Sequence, residues 1–137
     1  MHDNFFHKLK VYYEDTDSGG VVYYANYLKF IERARTNLIF ELGFSLKSLI
    51  EHYDCQFVVK NINCNYLKSA KLEEILSIHS KILKVKKASL ELEQNIFRNN
   101  ELIFKSQILI VSVNSKGKPM KINRLLYDKM NESIKKN

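Results

Sequence analysis

The chain has 137 residues, 45% hydrophobic and 27% charged, with 22 Lys and Arg against 15 Asp and Glu for a net charge of +7. That size and balance fit one soluble domain spanning 1–137 and exclude a disordered chain. The longest apolar runs, such as 108–111, fall far short of the about 20 residues that a membrane-spanning helix needs. Residues 1–10 carry no apolar stretch followed by small residues, so no signal peptide is expected and the expected compartment is the cytoplasm.

In chain order, residues 9–13 read as a short strand and 14–20 as a polar turn closed by Gly19-Gly20. The clearest helix covers 26–42. Tyr27, Phe30, Ile31, Ala34, Leu38 and Leu42 recur at helical spacing as one apolar stripe, with Asn26 as N-cap and Gly43 just past the end. Residues 45–52 suggest a further helical turn or two.

The period then changes to two. An extended strand is expected over 55–66. Leu76, Ile78 and Ile82 alternate with polar residues, as do Leu90, Leu92 and Ile96, and 102–113 is a long apolar strand. Asn99-Asn100 suits a hairpin turn, because Asn tolerates positive φ, and Lys86-Lys87-Ala88 makes a second tight link. Short links between successive strands predict an antiparallel meander. Ile122, Leu125, Leu126, Met130 and Ile134 predict a C-terminal amphipathic helix. The fold class is therefore α+β, an antiparallel sheet curled around one long helix. The strand 102–113 and Phe57-Val58-Val59 carry more hydrophobic residues than one helix covers, which predicts a second subunit against the sheet.

Cys55 and Cys64 lie nine residues apart, on opposite faces of a regular strand, and are read as reduced packing residues. His2, His7, His52 and His79 show no spacing for a metal or a Ser-His pair, so no metal is expected. Gly19-Gly20 lacks the Gly-Lys-Ser/Thr of a nucleotide P-loop. The basic excess suits a phosphorylated ligand or an acidic carrier protein. The basic residues are dispersed and no RNA-recognition or helix-turn-helix pattern is present, so nucleic acid is not an expected partner. Glu32 and Arg35 are neighbours on one helix face, read as tying helix ends or subunits together.

One local arrangement points to acyl chemistry. A thioester carbonyl needs an attacking oxygen and donors for the oxyanion that forms. Asp17 lies in the polar turn. The glycines after it permit close backbone approach, and the chain then enters a helix near residues 23–26, where N–H groups point outward with partial positive charge.

The block YEDTDSGGVVYYANY over 13–27, continuing into Glu32-Arg33-Ala34-Arg35, resembles the hotdog-fold acyl-CoA thioesterases of the 4-hydroxybenzoyl-CoA thioesterase family. Within that family it looks most like the branch found in bacterial Tol-Pal gene clusters. The resemblance runs over nearly the whole chain, carried after Gly43 by the strand pattern and by fragments such as Phe57-Val58-Val59 and Tyr66-Leu67. It implies a hotdog fold, a hydrolase acting on acyl-CoA or acyl-carrier-protein thioesters, homodimers or homotetramers, and active sites at the dimer interface. No separate cofactor is implied, since CoA is part of the substrate. It also implies Asp17 as nucleophile or general base, with Asp15 structural, and the Tyr24 backbone N–H as oxyanion donor. Lys84, Lys86, Lys87 and Ser89 would meet the CoA phosphates, and Tyr66, Phe57, Val58 and Val59 the acyl group. The Tol-Pal branch usually has His where this chain has Tyr24, a departure that bears on substrate preference and rate. The alternative class is a hotdog module that binds acyl-CoA or acyl carrier protein without turnover.

Overall fold

The computed structural model describes residues 5–135, so His2 lies outside it. Strand β1 is Phe5–Lys10, helix α1 Asn26–Glu41, helix α2 Leu46–Tyr53, and strands β2 to β5 are Gln56–Tyr66, Ile75–Val85, Ser89–Arg98 and Glu101–Val113. Helix α3, Arg124–Lys135, closes the described chain. The strands form one sheet in the order β1-β3-β4-β5-β2, every pair antiparallel. This is the α+β arrangement expected from the alternating period.

Helix α1 lies on one face of that sheet. Tyr27, Phe30, Ile31, Ala34 and Leu38 are buried, joined by Leu76, Ile78 and Ile82 of β3, Leu90, Leu92 and Ile96 of β4, and Phe104, Ile108 and Ile110 of β5. The register stacks these into rows, such as Ile82–Leu92–Ile108. One row is polar: Ser80, Gln94, Ser106 and Cys64 pair in turn across four strands. Gln94 is fully buried, and its amide NH₂ donates to the Ile31 carbonyl in α1 (3.0 Å) and to Ser80 Oγ (2.9 Å). Its oxygen accepts from Arg35 Nη1 at 2.9 Å. Arg35 therefore ties α1 to the sheet, whereas among the described residues it forms no ion pair with Glu32, its neighbour one turn back.

Helix α1 ends as its sequence requires. Gly43 takes φ +92°, its N–H donates to the Phe40 carbonyl, and the Phe44 N–H reaches back to Ile39, a Schellman closure. From α3, Lys129 Nζ donates to the Leu42 carbonyl at 3.0 Å, which places a cation at the negative helix end.

Several elements differ from expectation. The first strand runs earlier and stops at Lys10, because the Asp15 carboxylate accepts the Tyr12 N–H and draws Tyr13–Asp15 into a 3₁₀ turn. Asn26 is the first helical residue and Ala25 the cap, since the Asn26 side chain reaches Asp15 and not its own helix start. Helix α3 begins after Asn123, whose side chain accepts the Leu125 and Leu126 N–H groups. Ile122, Leu126 and Met130 are buried at spacings of four, which leaves Leu125 exposed, off the stripe.

Strand β2 is the sheet's last strand and carries a bulge between Val59 and Asn61. The extra residue reverses the alternation, so Phe57, Val59, Ile62, Cys64 and Tyr66 all pair with the inward-facing residues of β5. Cys64 therefore faces the same side as Cys55, contrary to the reading for a regular strand. The span between them along the strand still separates the two, and both are free thiols. The apolar surplus sits mainly on this strand and the residue that follows it: Val58, Val59, Ile62 and Tyr66, with Leu67 just beyond, are each at least 38% exposed.

The outer face of the sheet carries an aromatic group in which His79 lies between Phe6 (4.7 Å) and Phe97 (4.4 Å). Burial lowers the His79 pKa, and burial followed by the Arg33 charge lowers that of His7. His7 Nδ1 contacts Asn37 Nδ2 at 2.7 Å, as suits a neutral ring accepting a hydrogen bond. On acidification the unfolded chain takes up these protons first, near pH 6.5, so stability falls as pH drops through that value. Thermal unfolding of the wild type is expected to move to lower temperature between pH 7.5 and 5.5, and His79→Phe to show a smaller drop; an unchanged slope would remove His79 as a contributor.

Candidate active site

The turn that carries Asp17 is held from three sides. Within it, the Asp17 N–H donates to the Val21 carbonyl and the Gly20 N–H to the Asp17 carbonyl. The Gly19 N–H donates to Asp17 Oδ1 at 2.8 Å, and a Cβ at Gly19 would press on that oxygen at 3.3 Å. Gly20 adopts φ +82°, a region that L side chains rarely enter. Asp17 is exposed, with its carboxylate at the surface of the turn.

Asp15 is the opposite case. It is only 8% exposed, and its carboxylate accepts from the Tyr12 N–H and from Asn26 Nδ2. Its carbonyl accepts the Tyr23 N–H at 3.1 Å, tying the turn to the start of α1. There the Asn26 N–H bonds back to Tyr23, Tyr27 to Tyr24 and Leu28 to Ala25. The N–H groups of Tyr24 and Ala25 make no hydrogen bond to the described residues, so they remain available at the positive end of a four-turn helix.

The third support comes from the segment after β2. The Val22 N–H donates to the Ala70 carbonyl (2.8 Å), and the Ala70 N–H donates to the Tyr27 hydroxyl (2.9 Å). Tyr27 stacks on Phe104 at 5.4 Å, 11° from parallel. Arg98 donates to the Ser69 carbonyl and to Glu74, fixing the same segment to the β4–β5 hairpin. Sequence reading placed Tyr27 only in the apolar stripe and did not single out Ala70 or Arg98. The stripe shows which way Tyr27 points but not what its hydroxyl meets.

Tyr66 joins this group. Its ring meets Tyr24 edge-on at 6.0 Å, Tyr27 at 5.4 Å and Phe104 at 5.1 Å. Local burial, then the neighbouring Cys64, push its hydroxyl up to about 12, so it stays a neutral donor. Tyr24 itself is 62% exposed and rests against Tyr23 at 4.8 Å.

The remaining sequence-named residues lie elsewhere. Phe57, Val58 and Val59 line a mostly apolar cavity of about 610 Å³ between α1, α2 and the sheet. Arg35, Ile39 and Leu92 also line it. Phe57 pairs with Ser112 and Tyr66 with Phe104, eight residues along β5, which is about 26 Å at strand spacing. Lys84, Lys86 and Lys87 are exposed at the Phe57 end, where the Lys86 N–H closes a tight link on the Ser89 carbonyl and the Ala88 carbonyl accepts from Ser112. One chain thus gathers Asp17, Tyr24 and Tyr66 at one end of the sheet, and Phe57, Val58, Val59 and the lysine group at the other.

Residues 19–104 match the sequence profile of the thioesterase superfamily. The chain belongs to the thioesterase superfamily. The match starts two residues after Asp17 and covers α1 and most of the sheet. The acyl-CoA thioesterase YbgC of Haemophilus influenzae is 41% identical over 122 residues, 88% of this chain and 90% of that protein. YbgC of Helicobacter pylori is 37% identical over 134 residues, 90% of this chain and 98% of that protein. A solved probable thioesterase from Bartonella henselae superposes with a TM-score of 0.85 at 29% identity, covering 88% of this chain and 99% of its own. The sheet and central helix are thus those of a hotdog-type thioesterase.

Tyr27→Phe is expected to lower stability by about 1–3 kcal/mol, the penalty for orphaning the buried Ala70 N–H, with the urea m-value unchanged. A variant as stable as the wild type would show that the Tyr27 hydroxyl does not hold this segment.

Proposed function

We propose that the protein hydrolyses acyl-CoA thioesters to free acid and thiol, with Asp17 as its catalytic carboxylate. The observation that carries this reading is the pairing of an exposed Asp17, set by the Gly19 N–H, with two unpartnered N–H groups at a helix start in a chain of this superfamily. The carbonyl oxygen of the thioester accepts from the Tyr24 N–H, which stabilises negative charge as the carbon becomes tetrahedral. As general base, Asp17 takes a proton from water while the water oxygen bonds to that carbon. The C–S bond then breaks, and the thiolate leaves with a proton. As nucleophile, Asp17 itself bonds to the carbon, the C–S bond breaks, the thiolate departs and takes a proton from solvent water, and a second water cleaves the resulting anhydride. Acyl carrier protein, an acidic partner for a basic chain, is the second acceptable thiol carrier.

The catalytic unit in this reading is a dimer. Two β2 edges paired antiparallel would set the Tyr66 end of one chain beside the Phe57 end of the other. The exposed apolar residues of β2 support this, as does the distance separating the two halves of the site within one chain. Asp17 and Tyr24 of one subunit would then work with the cavity and Lys84, Lys86, Lys87 and Ser89 of its partner. CoA enters as part of the substrate, and no separate cofactor is called for. The reading also assigns the chain to the Tol-Pal branch and the cytoplasm. The block 13–35 supports the first, and two free cysteines, as suits a reducing compartment, support the second.

Thiol release from acyl-CoA is expected to fall by at least about 100-fold in Asp17→Asn, the scale for loss of a catalytic base, with the fold intact by circular dichroism. Unchanged turnover would take Asp17 out of the mechanism. The shared site is tested by mixed dimers of Asp17→Asn and Lys86→Glu/Lys87→Glu at low substrate. If each site draws on both chains, random mixing restores roughly a quarter of wild-type activity, because one site of every heterodimer is intact. If each chain carries its own complete site, mixing restores nothing.

A further inference from the structure

The cavity at the Phe57 end is lined by Leu38, Ile39, Leu46, Phe57, Leu92 and Ile110, yet Arg35 also forms part of its wall. Burial lowers the Arg35 pKa and the Glu32 charge raises it again, but a guanidinium keeps its proton in a protein. A permanent cation in an apolar wall is expected to have a carboxylate beside it. Here its hydrogen-bond partner is neutral, the oxygen of Gln94 at 2.9 Å.

The orientation of that amide is fixed. Gln94 Nε2 donates to the Ile31 carbonyl, which only accepts, and to Ser80 Oγ, so the oxygen must face Arg35. Gln94 thus orients the guanidinium without neutralising it. A guanidinium has five N–H donors, and among the described residues one is used here. Glu32 also lines the cavity, but it is exposed and forms no ion pair with Arg35 among the described residues. Its charge acts on Arg35 from a distance but occupies none of the guanidinium N–H groups.

We propose that this cavity takes acyl groups whose far end carries a carboxylate, and that Arg35, oriented by Gln94, is the residue that selects them. The inference rests on the acyl-CoA reading above and names the substrate class within it. The methylenes of the acyl group lie along the apolar wall, and the terminal carboxylate accepts from the free N–H groups of the guanidinium in the forked geometry that Arg offers and Lys does not. The steps at the thioester are unchanged, and Arg35, besides tying α1 to the sheet, sets the ratio between carboxylated and neutral esters.

The test compares kcat/KM of the full-length protein for succinyl-, glutaryl-, adipyl- and suberyl-CoA with butyryl-, valeryl-, hexanoyl- and octanoyl-CoA, pair by pair at equal length. At one length the carboxylated ester is expected to exceed its neutral counterpart by at least about tenfold. Arg35→Met should remove or reverse that preference, read as the ratio of the two esters within the variant so that a general loss of turnover from the broken tie to Gln94 cancels, and Arg35→Lys should give an intermediate ratio. A wild type that favours the neutral ester at every length overturns the proposal whether or not the variants fold, and so does a preference that survives in Arg35→Met. Hydrolysis of the neutral esters alone overturns this inference and leaves the thioesterase reading standing. Release of no thiol from any ester overturns both.

Discussion

Across the apolar inner face of the sheet runs a single polar row, and the buried amide of Gln94 joins it to α1 through the Ile31 carbonyl and Arg35. Apolar packing alone lets a helix slide or turn on a sheet at modest cost, because dispersion and burial are not directional. Two hydrogen bonds to defined points on α1 remove that freedom. They fix where the helix begins over β3 to β5, and hence where the free N–H groups of Tyr24 and Ala25 stand relative to Asp17. The small Ser80 and Ser106 on either side of Gln94 leave room for α1 to lie close at this level.

From that fixed helix the turn that carries Asp17 is built by short links between backbone and side chain. Asp15 couples the turn to the helix start. Tyr27, itself stacked on Phe104, holds Ala70, and Ala70 holds Val22. The two carboxylates of the turn differ because their surroundings differ. Asp15 is enclosed and hydrogen-bonded into the fold, whereas Asp17 accepts from Gly19 at the surface. Two acids two residues apart thereby become a structural tie and a reactive candidate.

The bulge in β2 has an effect out of proportion to its size. One extra residue brings Phe57 and Val59 onto the same side as Cys64 and Tyr66, so both ends of the edge strand face the helix layer. Each end can then contribute to a site, but they lie too far apart to contribute to the same one. In the dimeric reading, this separation and the exposed edge have one cause and one remedy, a second copy running the other way. The surplus of apolar residues belongs mainly to β2. The inner residues of β5 are buried within the one chain.

By itself the sequence determined the alternation of periods that makes one long helix and an antiparallel meander, the glycine stop after α1, the Asn99 turn, and the block around Asp17. Each of these is a local property, since period, cap and turn chemistry act within a few residues and are written in consecutive positions. Tertiary structure alone decided the rest. The faces of Cys55 and Cys64 depend on a bulge that leaves no mark in residue type. The partner of Arg35 proved to be Gln94, on β4, and not the adjacent Glu32, because a contact across the core outweighs a neighbour on an exposed helix face. The separation of Tyr66 from Phe57, Val58 and Val59 follows from strand length and register. Which residues share a site is a matter of distance in space, and that distance is set by packing between elements far apart in the chain.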